Sequence, residues 1–230
     1  SVREAREMVM LAGRGGLTKD GYKGEIFNMT YPCAMDCVKA SPPFVYGTAY
    51  RHQMMRMEAR VADGVFIGCT PPEIIAPAME AVRVGMSRRE RPSDAFRVNT
   101  FWAWHVKKDR DEAYRESRRE LAWRARKLDP ELINLFITDE EARMVAENFD
   151  AFVAAWFDRS GNIKGIPEHV VTALCEGFTS TGGLEELDRE IERFKVFKQH
   201  GLTEIALRLH DDPMDALRLV GEHVVPALKK

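Results

Sequence analysis

The chain has 230 residues, 45% hydrophobic and 30% charged, the proportions of a globular protein that buries a core of its own. Lysine and arginine (34) nearly balance aspartate and glutamate (36), for a net charge of -2, and the densest basic stretch, "KKDRDEAYRESRRELAWRARK" from Lys107 to Lys127, is interleaved with acids. That pattern predicts a solvated helix face laced with i,i+4 pairs rather than a nucleic-acid surface, and no apolar run reaches the ~18–20 residues of a membrane span.

Residues 2 to 13 place Val2, Ala5, Met8, Val9 and Ala12 near one face, predicting an amphipathic helix that "GRGG" ends. In "KDGYKGEIFNM" the glycine steps flank short β-prone pieces, the pattern of a small hairpin. "TYPCAMDCVKASPP" is an irregular connector, its proline pair preventing a helix from running into Phe44. Phe44 to Thr48 predicts a strand, Arg51 to Ala62 a helix, and Gly64 to Gly68 a second, buried strand. Met54, Met55, Met57, Val61 and Ala62 are assigned to the inward face of that helix as core packing. "TPPEIIAPAMEAVRVGM" opens with a threonine cap and first-turn prolines, and so begins another helix.

Phe96 to Val106 is the longest β-like run. From Asp109 to about Gly177 the pattern is helical, with Thr138 capping the run Asp139-Glu140-Glu141 and breaks at "RSGN" and "KGIP". This block is too long for one crossover and reads as a helical insertion over 107–178 within a single domain of residues 1–230. Gly182-Gly183 precede the helix "LEELDREIERFKVFKQHG", "LTEIALRL" is a strand, and "DDPMDALRLVGEHVVPALKK" is a final helix with Asp211 or Asp212 as its cap. Four strands, each followed by a helix, predict a parallel α/β sheet with right-handed crossovers. No G-x-G-x-x-G or P-loop stands at a strand-helix junction, which leaves a flavodoxin-like sheet or part of a (β/α)8 barrel.

"PPFVYGTAYRHQMMRMEARVADGVFIG" resembles a segment of the luciferase-like monooxygenase superfamily: Pro43 to Ala49 stands where its strand should, and Ala62-Asp63-Gly64 matches its A-D-G. The ending from "FTSTGGLEELDRE" to "HVVPALKK" and the early "SVREAREMV" with "GYKGEIF" are similar to the same family, most of all to its deazaflavin-dependent, methylenetetrahydromethanopterin reductase-like branch. The resemblance implies a (β/α)8 TIM-barrel fold, of which the last four or so strand-helix units are matched here. It also implies a flavin- or deazaflavin-dependent oxidoreductase or monooxygenase carrying coenzyme F420 (a deazaflavin) or FMN. Arg51-His52-Gln53 stands where the family has G-P-K, a turn lying against the cofactor's phosphate-bearing side chain. Nothing in the chain resembles the family's opening strands, so it is read as a carboxy-terminal portion or a shortened descendant, its open side covered by another copy, by an amino-terminal half or by the helical block.

In (β/α)8 enzymes the working residues lie at the carboxyl ends of the strands. That geometry selects Thr48, Tyr50, Arg51, His52 and Gln53 after the first strand, as the cofactor-phosphate site. It selects Cys69 and Thr70 after the second, Trp104, His105 and Lys107 after the third, and Arg208, His210 and Asp211 after the fourth. Of these, His105, Arg208 and His210 are the candidates for substrate contact, while Trp102 and Trp104 read as core. No residue is assigned as catalytic, and no metal is expected: Cys33 and Cys37 form a C-x3-C pair without a second pair of ligands. The four cysteines, with Cys69 and Cys175, read as reduced thiols of a cytoplasmic protein. The expected partners are a small-molecule substrate and a second copy or missing amino-terminal half. A non-catalytic half-barrel that binds a ligand or a sister chain is the alternative.

Overall fold

The computed structural model describes residues 2–13, 17, 21–30, 44–68, 70–90, 95–125 and 130–229. Cys33, Cys37, Cys69, the predicted connector before Phe44 and the break after Gly13 lie outside the described residues. The chain folds as two compact units: Ser1–Gly68, Ala76–Thr100 and Gly201–Glu204 in the first, Cys69–Ile75, Phe101–His200 and Ile205–Lys230 in the second.

The first unit opens with α1 (Val2–Gly13) and the antiparallel pair β1 (Tyr22–Lys23) and β2 (Asn28–Met29), the predicted hairpin. Glu4 of α1 is buried, and its Oε2 accepts the amides of Ile26 (3.0 Å) and Phe27 (2.9 Å), which ties the hairpin tip to the helix. Next come β3 (Tyr46–Thr48), α2 (His52–Val61), β4 (Gly64–Phe66) and α3 (Ile75–Met86). β3 runs parallel to β4, with Tyr46 opposite Gly64, and β4 parallel to the start of β5 (Arg97–Val106), with Gly64 opposite Arg97. The strand-helix-strand reading of Phe44 to Gly68 thus holds.

Asp63 explains why an acid stands in the A-D-G turn. Its Oδ2 accepts the amide of Val45 at 3.1 Å and its Oδ1 accepts from Arg6 Nη2 at 2.6 Å, so one carboxylate joins α1 to the strand start. Arg89 donates to the carbonyls of Ala59 (3.0 Å) and Ala62 (2.6 Å) and so caps the end of α2. The inward face of α2 differs from the predicted one. Met55, Glu58, Ala59 and Ala62 are buried, whereas Met54 and Met57 are exposed. Three methionines in four positions span more than one face of a helix, so at most part of such a run can point inward. Gly47 is required beside Glu58, because a Cβ there would lie 1.7 Å from Glu58 Oε2.

In the second unit the end of β5 pairs in parallel with β6 (Ser180–Gly182), Trp104 facing Ser180. Between them run α4 (Arg110–Ala125), α5 (Pro130–Ile133), α6 (Asp139–Glu147), α7 (Phe149–Phe157) and α8 (Glu168–Phe178). These helices enclose a core that includes Leu121, Phe152, Val170, Leu174 and Phe178, and α6 starts at the predicted cap Thr138, which forms a capping box with Glu141. The sequence pattern misses β6. Its three residues carry no large apolar side chain, and polar bonds hold it instead: Trp102 Nε1 donates to Ser180 Oγ at 3.0 Å. Beside it Ser117, Thr179 and Thr181 join hydroxyl to hydroxyl, and Thr179 Oγ1 donates to the Cys175 carbonyl at 2.5 Å.

α9 (Leu187–Gln199) lays Phe197 against Trp102 and Phe194 against Trp104, with ring centroids 5.4 and 5.9 Å apart, so both tryptophans are core as expected. β7 (Glu204–Arg208), which pairs with β5, leads into α10 (Pro213–Leu219), a π-helical turn at Val220–Val224 and α11 (Val225–Lys229). The single final helix predicted there is therefore interrupted. Neither aspartate caps it by its side chain: Asp212 sits at the N-cap with φ 55° and no side-chain cap bond, and Asp211 is held by arginines. No described helix is long and apolar enough to cross a membrane.

Candidate functional site

Of the stretch from Lys107 to Lys127, predicted to be a solvated face, the described part forms the site's foundation instead. In α4 Ala113, Glu116, Ser117, Glu120 and Leu121 are buried, at the i, i+3, i+4 spacing of one helix face, and Arg119 is buried beside them. The outward arginines obscure this face in the sequence. Small and acidic residues recurring at that spacing are the signal that would have revealed it.

Glu116 meets the end of β5. His105, wholly buried, has Nδ1 2.8 Å from Glu116 Oε1, while Lys107 Nζ lies 2.6 Å from Glu116 Oε2. Burial works to raise the Glu116 carboxyl, but the bonds from His105 and Lys107 outweigh it and hold the group below the usual carboxylate range. The His210 ring, from the end of β7, stacks on His105 with centroids 4.9 Å apart and planes 18° apart. His210 Nδ1 lies 3.4 Å from Glu120 Oε1, and Arg208 Nη2 lies 3.4 Å from Glu120 Oε2. Burial, then the neighbouring His105 and Arg208, push His210 down to about 3, so the ring is neutral at ordinary pH. For Glu120, burial outweighs Arg208 and Arg119 and raises the carboxyl. Asp211 accepts from Arg119 Nη2 (2.9 Å) and Arg159 Nη2 (3.1 Å), which keep its carboxyl low against a burial penalty.

The three residues expected at the substrate, His105, Arg208 and His210, are thus brought together, joined by Glu116, Arg119 and Glu120, which sequence reasoning did not select. Beside them is a cavity of about 410 Å³, walled by Trp104, Val106 and Lys107 from the end of β5, by Leu184, by His210 to Asp212, and by α10 and the π turn.

In the first unit, Thr48 ends β3 and Tyr50, Arg51, His52 and Gln53 follow, all exposed. Arg51 is the N-cap of α2 in extended conformation, with no side-chain cap bond, so the opening amides of a ten-residue helix stand beside a guanidinium and an imidazole. A Cβ on Gly68 (φ 71°) would lie 2.7 Å from the Tyr50 ring, so the tyrosine lies over the end of β4. Helix-start amides without a side-chain cap, with an arginine at the N-cap, are a donor set that suits phosphate oxygens. Thr70 is buried.

A sequence profile described as luciferase-like monooxygenase matches residues 3–204. The chain belongs to the luciferase-like monooxygenase family. Over 232 residues this luciferase-like chain is 25% identical to a 5,10-methylenetetrahydromethanopterin reductase of Archaeoglobus fulgidus, the match covering 99% of the chain and 66% of the reductase. The structure of a coenzyme F420-dependent tetrahydromethanopterin reductase from Methanopyrus kandleri superposes with a TM-score of 0.76 at 20% identity, over 99% of the chain and 62% of that protein. EDTA monooxygenase from Chelativorans sp. BNC1 gives 0.52 at 14% identity, over 90% and 51%. These likenesses show a shared mixed α/β fold with parallel strands. The luciferase-like chain spans just under two thirds of the curated relative's length.

Proposed function

We propose that the chain is part of a cofactor-dependent oxidoreductase that binds coenzyme F420 or FMN, with the cofactor's phosphate-bearing tail at Thr48–Gln53. The observation that carries this reading is the uncapped N-terminus of α2, directly after β3 and bearing Arg51, His52 and Gln53, in a chain of the luciferase-like family. Either cofactor supplies two-electron chemistry on its ring when bound. Phosphate oxygens accept from the first amides of α2 and from Arg51, and the extended conformation at Arg51 leaves those amides facing outward.

In the second unit the protein supplies orientation. Glu116 and Lys107 fix the His105 ring, His105 supports the His210 ring by stacking, and Glu120 meets Nδ1 of His210. A neutral, firmly held imidazole at a cavity wall positions a substrate group by accepting or donating one hydrogen bond.

The test is a titration of the purified chain with coenzyme F420 and, separately, with FMN, followed by cofactor fluorescence. Saturable one-to-one binding of either is expected, and Arg51→Ala should weaken it about tenfold, the loss of one charge-assisted contact. Binding of neither cofactor would overturn the reading in favour of a non-catalytic ligand-binding module.

A further inference from the structure

The cavity beside His210 has a charge and a polar lining that restrict what enters it. Seven carboxylates contribute to its wall against three lysine or arginine side chains. Lys107 is already neutralised by Glu116 at 2.6 Å, and Arg218 donates to Asp215 at 3.1 Å. Asp211 is in turn matched by Arg119 and Arg159, which leaves Asp109, Asp212 and Glu222 against Lys108, and in a concave site such a negative balance concentrates cations and repels anions.

Two further features point to a ligand. His210 exposes 9% of its side chain and Trp104 is 1% exposed, both line the cavity, and His210 Nε2 and Trp104 Nε1 have no hydrogen-bond partner among the described residues. Buried polar atoms normally find partners, so two unmatched donor or acceptor atoms on residues that line one cavity are candidate contacts for a ligand. With Glu120 at Nδ1, the Nε2 of a neutral His210 is left to accept a proton donor. The lining also includes the π turn Val220–Val224, which contributes Glu222 and His223. π turns are rare and cluster at functional positions. Asp212, at φ 55° in the left-handed region, is a second backbone departure in the lining.

We infer that this cavity binds a small organic amine, its ammonium group between Glu222 and His210 Nε2 and its apolar body against Trp104, Leu184 and Leu219. The inference deepens the proposed function by naming a substrate class, and rests on that reading for the word substrate. A polyanionic group, such as a cofactor's phosphate tail, is excluded from this cavity by the same carboxylates.

Three probes of one size separate the charge states: benzylamine, benzyl alcohol and benzoate, added to the full chain without cofactor. The readout is the Trp104 indole N–H cross-peak, assigned by triple-resonance connectivity and by its loss in Trp104→Phe. Benzylamine should shift this peak saturably and bind about tenfold or more tighter than benzoate, the scale of one opposed charge near a protein surface. Glu222 is exposed, so Glu222→Gln should leave the fold intact while weakening benzylamine about fivefold or more and leaving benzyl alcohol unchanged. Benzoate binding as tightly as benzylamine, or no shift with any of the three, would overturn the inference. Because no cofactor is present, these outcomes are independent of the cofactor titration.

Discussion

Replacing Glu116 by glutamine tests whether the charge network beneath the cavity is structural ballast or a working support. The carboxylate is 3% exposed and bonds His105 on one oxygen and Lys107 on the other, at 2.8 and 2.6 Å. Glutamine keeps an acceptor for the imidazole N–H but turns an amide donor toward the Lys107 ammonium, so one charge-assisted bond becomes a donor-donor contact. Such a bond contributes about 1.5–3 kcal/mol, and removing one member of a buried pair costs more. Lys107 is 18% exposed and keeps Glu112 at 3.6 Å, which offsets part of the loss. A net destabilisation of about 2–3 kcal/mol follows, a fall in Tm of roughly 5–10 °C for a chain of this length. The sign with pH is also fixed. Glu116 is held below its ordinary value, so its contribution is present above the unfolded carboxyl pKa and disappears as pH falls through the folded one. Thermal melts of both proteins at pH 7.5 and near pH 4 should therefore show a gap that narrows in acid. A Tm change at pH 7.5 of less than about 1 °C, or a gap that widens in acid, would refute the reasoning.

Glu58 is predicted to behave in the opposite sense. Burial alone raises its carboxyl, and its Oε2 has no hydrogen-bond partner among the described residues, so ionisation costs stability. Glu58→Gln should melt higher than the parent, by a margin that grows from pH 4.5 to pH 8; calorimetry across that range checks it. Gly47→Ala should cost about 1–3 kcal/mol through the clash with the Glu58 carboxyl, and most of that cost should vanish in a Glu58→Ala background, read by a double-mutant urea cycle. His210 excludes a proton until about pH 3, whereas the unfolded imidazole takes one near 6.5. The parent should thus lose stability relative to His210→Asn as pH falls below 6.5, by up to about 1.4 kcal/mol per pH unit. Nitrogen-detected imidazole shifts should show this ring still neutral at pH 5.

The parts of the fold legible in the sequence are those where pattern and environment agree. The long run Arg97–Val106, the hairpin, the capping box at Thr138 and the strand-helix-strand from Phe44 onward each carry a local signal that the tertiary structure keeps. Ser180–Gly182 escaped because polar side chains, not apolar alternation, hold it in place. The helix after Val106 misled for a related reason: Glu116, Arg119 and Glu120 satisfy one another and the strand ends, so charge that reads as surface is buried. Position at strand ends picked out His105, Arg208 and His210, which the structure brings together, whereas the carboxylates beside them come from a helix that no strand-end rule reaches.

The hydroxyls beside β6 have an order that their bonding imposes. Thr179 spends its only proton on the Cys175 carbonyl, so toward the hydroxyls of Ser117 and Thr181 its oxygen can only accept. The bonding thus runs one way through Thr179, like tiles overlapping toward a single gutter. Exchanging any of these side chains for valine, though nearly equal in shape to threonine, breaks that polarity and removes the bonds that tie the β6 side chains to α4, leaving the strand held by its pairing with β5 and by Trp102.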